Sequence, residues 1–353
     1  MLALDDTLAR QRGRKMFGTG RHHDLLLSSR SMVVTNWGHG HRPEVGRVVP
    51  GVFVELPFRL GQVDGLPIFL SRLYLNPKSV AKHRRASRTR PELAVELLEL
   101  LYQHRNSRRF HVVADSADGG QSVRCHLPTN GDLTRRLRQD ARLYAAAPAR
   151  KPGTKGRPRK RGERRPTPHA LLAGRCRRVT LDISGRREQA RVADQIGHVP
   201  APPTRPLRVV AVEALKGGRG QEAFDSTCAH ATAEQVIGWY ARRGSIEVTH
   251  HDSQPHLGFK EPPGWSRRSV ERTAPLARRL YSLIVWWFAQ EGHRHWRPRV
   301  CPWYTSQTKP SFANMLGTLC RLSVRQHVLT LALIGPGSRQ IRRPLENFSG
   351  LAT

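Results

Sequence analysis

The apolar residues of this chain change their period along its length, and that change restricts the folds open to it. Gly51–Leu60 and Leu66–Leu75 are dense in aromatic and branched residues and bounded by Gly and Pro, the pattern of strands. Ser31–Trp37, with Met32-Val33-Val34-Thr35, reads the same way, and Leu2-Ala3-Leu4 reads as a very short strand running into Asp5-Asp6-Thr7. Residues 91–104 switch to helical spacing: Pro91 suits a first turn, and Leu93, Leu97, Leu100, Leu101 and His104 share a face. Phe110–Ala114 is a compact apolar strand that stops at Asp115, and Ser116–Gly120 reads as a turn into a helix. Another strand is expected within Asp132–Tyr144, with further pieces at Val179–Ser184 and Leu207–Leu215. From Thr232 the period is helical again, opened by a Thr232/Gln235 capping box. Val236, Tyr240, Arg243 and Glu247 then fall on one face. Two more helices are expected at about Val270–Glu291 and Ser311–Leu333. Strands, helix, strand, a β-containing insertion and then helices predict a mixed α/β sheet covered by helices.

The charge narrows the partners. Among 353 residues, 60 Lys and Arg stand against 27 Asp and Glu, a formal net charge of +33. Such a surplus favours a polyanion, because each phosphate neutralised releases condensed counterions. Basic clusters lie at Arg10–Lys15, Lys82–Arg90, Lys151–Arg165, Arg175–Arg178 and Arg267–Arg279. Pro148–Pro168 is rich in Pro, Gly, Lys and Arg with no apolar period, which reads as an exposed basic loop. Nucleic acid is the expected partner and membrane is not: no basic amphipathic helix stands out, and the longest apolar stretch, Leu283–Ala289, falls far short of a span. No signal-peptide core comes after Met1, so a cytoplasmic, nucleoid-associated protein is expected. The five cysteines never take a C-x-x-C spacing, which argues against both a disulfide framework and a zinc site. The absence of a G-x-x-x-x-G-K-[ST] run argues against nucleotide-driven work.

Three acids sit where phosphoryl chemistry would use them. Asp5 closes the first strand, Asp115 closes a later one, and Glu247 shares a helix face with Tyr240 and Arg243. Carboxylates on neighbouring strand ends converge, and a third from a covering helix completes a site for hard divalent cations. Two such ions activate an attacking oxygen and stabilise the leaving one. Taken singly, each acid also reads as a turn, a cap or a surface ion pair.

At these residues the chain resembles a bacterial insertion-sequence DDE transposase of the subgroup with a Tyr-Arg-Glu-Lys signature (the insertion-sequence-four-like superfamily). Leu4-Asp5-Asp6-Thr7 resembles the first-aspartate motif, and Gly18–Asp24 resembles the segment usual after that motif. Val112–Ala117 resembles the second motif, Gly156–Lys160 the basic stretch between the second and third acids, and Tyr240-x-x-Arg243-x-x-x-Glu247 the third, with Leu257-Gly258-Phe259 beyond it. Pro302-Trp303-Tyr304 and Pro310–Leu316 are similar to the family's C-terminal part.

The resemblance implies a ribonuclease-H-like mixed sheet flanked by helices, with a β-rich insertion between the second and third acids. On that basis residues 1–144 form the first part of the catalytic domain, 145–230 the basic loop and insertion, and 231–353 its helical completion. It implies metal-dependent cleavage and strand transfer at the ends of an insertion sequence, with two Mg²⁺ (or Mn²⁺) ions on Asp5, Asp115 and Glu247. Asp6 is the alternative first acid. Tyr240, Arg243, Gln254, Lys155, Arg157, Arg159 and Lys160 are the expected DNA contacts, and a dimer is expected in the DNA complex because two ends must meet.

Three departures accompany the resemblance. Gln254 stands where the family carries Lys, Pro255 comes next and is expected to break or kink the helix, and Gly244 adjoins Arg243. Only four residues precede Asp5, so an N-terminally truncated transposase that binds DNA without chemistry is the alternative expectation, with a structure-specific nuclease as a third. Lys155–Pro158 also matches a minor-groove hook. His250 is expected to face DNA, and Trp286-Trp287 to pack in the core.

Overall fold

The computed structural model of the protein describes residues 2–5, 9–10, 17, 19–23, 35–39, 47–55, 63–67, 72–73, 80–81, 84, 86, 88–104, 109–116, 119–149, 159–183, 186–199, 205–215, 220–259, 261–298 and 309–332. The first seven strands are β1 (Leu2–Asp5), β2 (Ala9–Arg10), β3 (Thr19–His23), β4 (Thr35–His39), β5 (Arg47–Glu55), β6 (Val63–Pro67) and β7 (Arg72–Leu73). Helix α1 (Arg90–His104), β8 (Phe110–Ala114), α2 (Gln121–Cys125), β9 (Gly131–Leu137), β10 (Leu143–Tyr144), β11 (Arg164–Arg165) and α3 (Pro168–Ala173) come after them. Then come β12 (Arg177–Ile183), β13 (Arg186–Gly197), β14 (Leu207–Ala214) and β15 (Gln221–Ser226). The chain closes with α4 (Ala233–Ala241), α5 (Gly244–Leu257), α6 (Arg267–Trp287), a π-helical turn Phe288–Gly292, the short α7 (His293–His295) and α8 (Phe312–Ala332).

One mixed sheet dominates the described residues, in the order β12-β13-β14-β15-β9-β8-β1-β5-β6, with β7 pairing β5 beside it. β1 runs parallel to β8 and antiparallel to β5; β8 runs parallel to β9. β15 joins the free side of β9 antiparallel, so the strands between Asp115 and Glu247 continue the same sheet.

The central strand β8 is covered on two faces, as a parallel strand must be. Val112 and Ala114 pack with Leu93, Leu97 and Leu98 of α1. His111, one residue out of phase, meets the Trp239 ring of α4 at 4.1 Å. Helix α1 starts where expected because Thr89 and Glu92 cap each other: the Thr89 N–H donates to Glu92 Oε2 (2.6 Å) and the Glu92 N–H to Thr89 Oγ1 (3.4 Å). Leu97 is fully buried, and trimming such a leucine to alanine costs about 2–5 kcal/mol. A second core lies under α4, where Val236 and Ile237 meet Val192, Val210 and Phe224 of the added strands.

Two sequence expectations change here. The signature segment is two helices rather than one, because α4 ends at Ala241 and α5 starts at Gly244. Gly244 thus opens a helix instead of weakening the middle of one. Pro255 does not break α5, which runs on to Leu257 and closes on Gly258 in the left-handed region (φ 60°). Pro255 forgoes its own backbone bond to the His251 carbonyl one turn back, and the helix continues two residues beyond it. No described helix is long and apolar enough to cross a membrane.

Candidate active site

The β1–β8 pairing matches Leu2 with Val112 and Ala3 with Val113. Continuing that register by two residues sets Asp5 abreast of Asp115, at the carboxyl ends of adjacent parallel strands. Asp115 is half-buried, and the turn beyond it is tied back on itself by the Gly119 N–H, which donates to the Asp115 carbonyl at 3.0 Å. A side chain at Gly119 would stand 2.9 Å from that carbonyl and 3.0 Å from Arg135 Cβ, so the close turn needs glycine.

Helix α4 lies over β8, β9 and β15 and carries Tyr240 to this end of the sheet. The Tyr240 ring packs on Phe224, centroids 4.6 Å apart. Burial raises the phenol above its ordinary pKa; Arg243 and Arg136 pull it down, and the Asp115 carboxylate adds to the rise. Tyr240 and Asp115 therefore share one electrostatic environment. Arg243, its side chain only 15% exposed, sits beside the Tyr240 ring (5.8 Å) and donates Nη2 to Glu247 Oε1 across one helical step. Tyr240, Arg243 and Glu247, with Glu222, Phe224 and Ile237, line a cavity of about 310 Å³ between α4, α5 and the added strands.

The structure thus brings Tyr240, Arg243 and Glu247 together, and it pairs β1, which ends at Asp5, in parallel with β8, which leads into Asp115. Gln254 is exposed near the end of α5, and Arg159 and Lys160 are exposed. Lys155 and Arg157 lie outside the described residues, as does the hook-like motif they belong to. His250 is a correction: it is 7% exposed, 3.4 Å from Arg278 Nη2 through Nδ1, and stacked on Phe259 (5.9 Å), so it belongs to the packing of α5 on α6. Trp286 is the converse, 56% exposed rather than in the core, while Trp287 packs against the cluster around Tyr281 and Phe288.

Hard divalent ions take carboxylate oxygen. Asp115 carries that donor type at the end of β8, and β1, which ends at Asp5, pairs beside it. Glu247 accepts from Arg243 through Oε1 and is otherwise largely exposed. Among the described residues no three of His, Cys, Asp and Glu are grouped as metal ligands.

No motif or period in the chain marks Arg135. It is flanked by Ala114 of β8 on one side and Asp225 of β15 on the other. Its Nε donates to both Asp225 oxygens (2.9 and 3.2 Å) and its Nη1 to the Gly119 carbonyl (2.9 Å). A salt-bridged arginine thus holds the turn that carries Asp115. Arg136, beside it, meets Glu222 Oε1 at 3.3 Å.

No family model matches this chain, and no curated protein matches it.

Proposed function

We propose that the protein is a DNA transposase of the insertion-sequence type, acting by metal-dependent cleavage and strand transfer. The observation that carries this reading is the parallel pairing of β1 with β8, Leu2 with Val112 and Ala3 with Val113, which supports Asp5 and Asp115 as acids on neighbouring strand ends. The antiparallel run β6-β5-β1 continued by parallel β8 and β9 supports a ribonuclease-H-like core, with β12–β15 as the insertion. A net charge of +33 suits a DNA partner.

In this reading Asp5, Asp115 and Glu247 would hold magnesium. The metal, when bound, supplies an activated attacking water and charge relief at the leaving 3′-oxygen. The Arg243 guanidinium, with further donors beyond the one given to Glu247, would hold a phosphate of the cleaved end, for which its planar donors are suited. The Tyr240 hydroxyl, kept protonated by burial, donates a hydrogen bond to the same backbone. Residues Arg159 and Lys160 add phosphate contacts at the edge.

The test is cleavage of a supercoiled plasmid bearing the element's inverted repeats, with Mg²⁺ or Mn²⁺. Cleavage and joining by the wild type, both lost in Asp115→Asn with DNA binding retained, are expected. Metal-indifferent binding with no cleavage overturns the enzymatic reading. The Arg243–Glu247 bond favours that second reading, a relic that only binds DNA, because it engages the third acid in an ion pair.

A further inference from the structure

A second cavity, of about 360 Å³, lies between the end of α5, the segment after α7 and helix α8. Among the described residues its lining includes His256, Trp296, Arg297, Asn314, Thr318 and Arg321 and no carboxylate. The cavity beside Tyr240 is its chemical opposite, lined by Glu188, Glu222 and Glu247. The two cavities share no lining residue.

The bonding of the two arginines is distinctive. Arg135, Arg136, Arg191, Arg208 and Arg243 all meet carboxylates. Arg297 instead donates Nη1 to the backbone carbonyls of Arg294 (3.1 Å) and Trp296 (3.0 Å). Arg321 donates Nη2 to the Thr318 hydroxyl (3.4 Å), whose own proton goes to the Asn314 carbonyl (2.7 Å). These acceptors are neutral. They orient the guanidinium groups without cancelling their charge, so two positive charges border one hollow with no acid among its described lining residues. Trp296, half-buried, packs against the cluster of Tyr281, Phe288, Phe312 and Met315, which fixes its ring beside them.

Two oriented guanidinium groups match a phosphodiester, and a fixed indole offers a face to an unstacked base. The volume lies in the range of pockets that take small ligands, roughly 300–1,000 Å³. We propose that this cavity takes one nucleotide of a single DNA strand, with the phosphodiester at Arg297 and Arg321 and the base on Trp296. The inference rests on the DNA reading above and extends it to a contact separate from the acids. A recessed indole reaches a base only where the strand is unpaired, so duplex is a poor occupant.

The test uses the full chain with a fluorescent oligothymidylate, an abasic oligomer of equal length and a blunt duplex, each titrated across salt. Arg297→Ala and Arg321→Ala should each weaken oligothymidylate binding about three- to tenfold, and the double variant should lower the salt slope by roughly 0.7. Trp296→Ala should weaken oligothymidylate about tenfold, leave the abasic oligomer unchanged, and be largely rescued by Trp296→Phe. Arg297 is exposed, so its variant reports on binding even if the tryptophan variant misfolds. Unchanged affinity and slope in the double arginine variant, or wild-type binding to duplex alone, overturns the cavity and leaves the DNA reading standing. Failure of the wild type to bind any of the three overturns both.

Discussion

Arg135 and Asp225 are 90 residues apart in sequence and directly opposite in the sheet, joined through both carboxylate oxygens. Asp225 is 2% exposed, so the pair is deprived of water and each partner depends on the other. Arg135→Met leaves the buried carboxylate without its hydrogen-bonded partner, with only the Arg124 charge nearby, and should cost about 3–5 kcal/mol in urea unfolding. Replacing both residues by apolar ones should recover most of that loss. A single-variant cost near zero would show that the aspartate is not held by this arginine.

Gly119→Ala puts a methyl group where the Asp115 carbonyl and the Arg135 side chain already stand. The turn must open, at about 1–3 kcal/mol. Cleavage should fall more than tenfold at a temperature where the variant is still folded by circular dichroism. Full activity with unchanged stability would mean that the turn does not fix Asp115.

Burial drives the His111 pKa down to about 4, well under the ordinary 6.5. Nε2 lies 2.9 Å from Thr134 Oγ1 and the ring lies on Trp239. The unfolded chain therefore takes up a proton before the folded one does. Its contribution to stability is complete above about pH 6.5 and is lost as the pH falls from there to about 4, amounting to about 3–4 kcal/mol. Unfolding free energies measured across that interval should slope down toward acid, and His111→Gln should flatten the slope. An identical slope in the variant would assign the acid loss to other groups.

Gln254 is exposed on α5, so Gln254→Lys adds a cation without repacking. Pro255→Ala restores a backbone donor in the last turn and should raise stability by about 1 kcal/mol. If the two residues are lesions in an active enzyme, the double variant should raise strand transfer severalfold and steepen the salt dependence of DNA binding by about one phosphate contact. Unaltered strand transfer would mean that these positions do not limit it.

Much of the frame is legible in the residue order because short-range patterns carry it. The Phe110–Ala114 run has apolar residues facing both covering layers, and the Thr232/Gln235 box is a local signal. β13 and β15 escape such a reading for a physical reason. Arg186–Gly197 spaces its few apolar residues among charges, and Gln221–Ser226 is short and half polar; both become strands through their neighbours in the ladder. The site divides the same way. Tyr240, Arg243 and Glu247 are visible from spacing within one segment, although the chain turns between them at Arg242–Arg243. Arg135 and Asp225 carry no such mark, because only strand pairing across a long separation brings them together. His250 misleads because helical spacing gives a face but not what covers it, here Arg278 and Phe259.

The uninterrupted ladder from β12 through β9 to β6 has a mechanical consequence. The outer four strands and the two aspartate-bearing ones form one lamina with no joint in it. A load placed on the far margin, as by a partner gripping β12, reaches Asp115 through shared amide rungs, and the last of those rungs is reinforced by the Arg135 guanidinium.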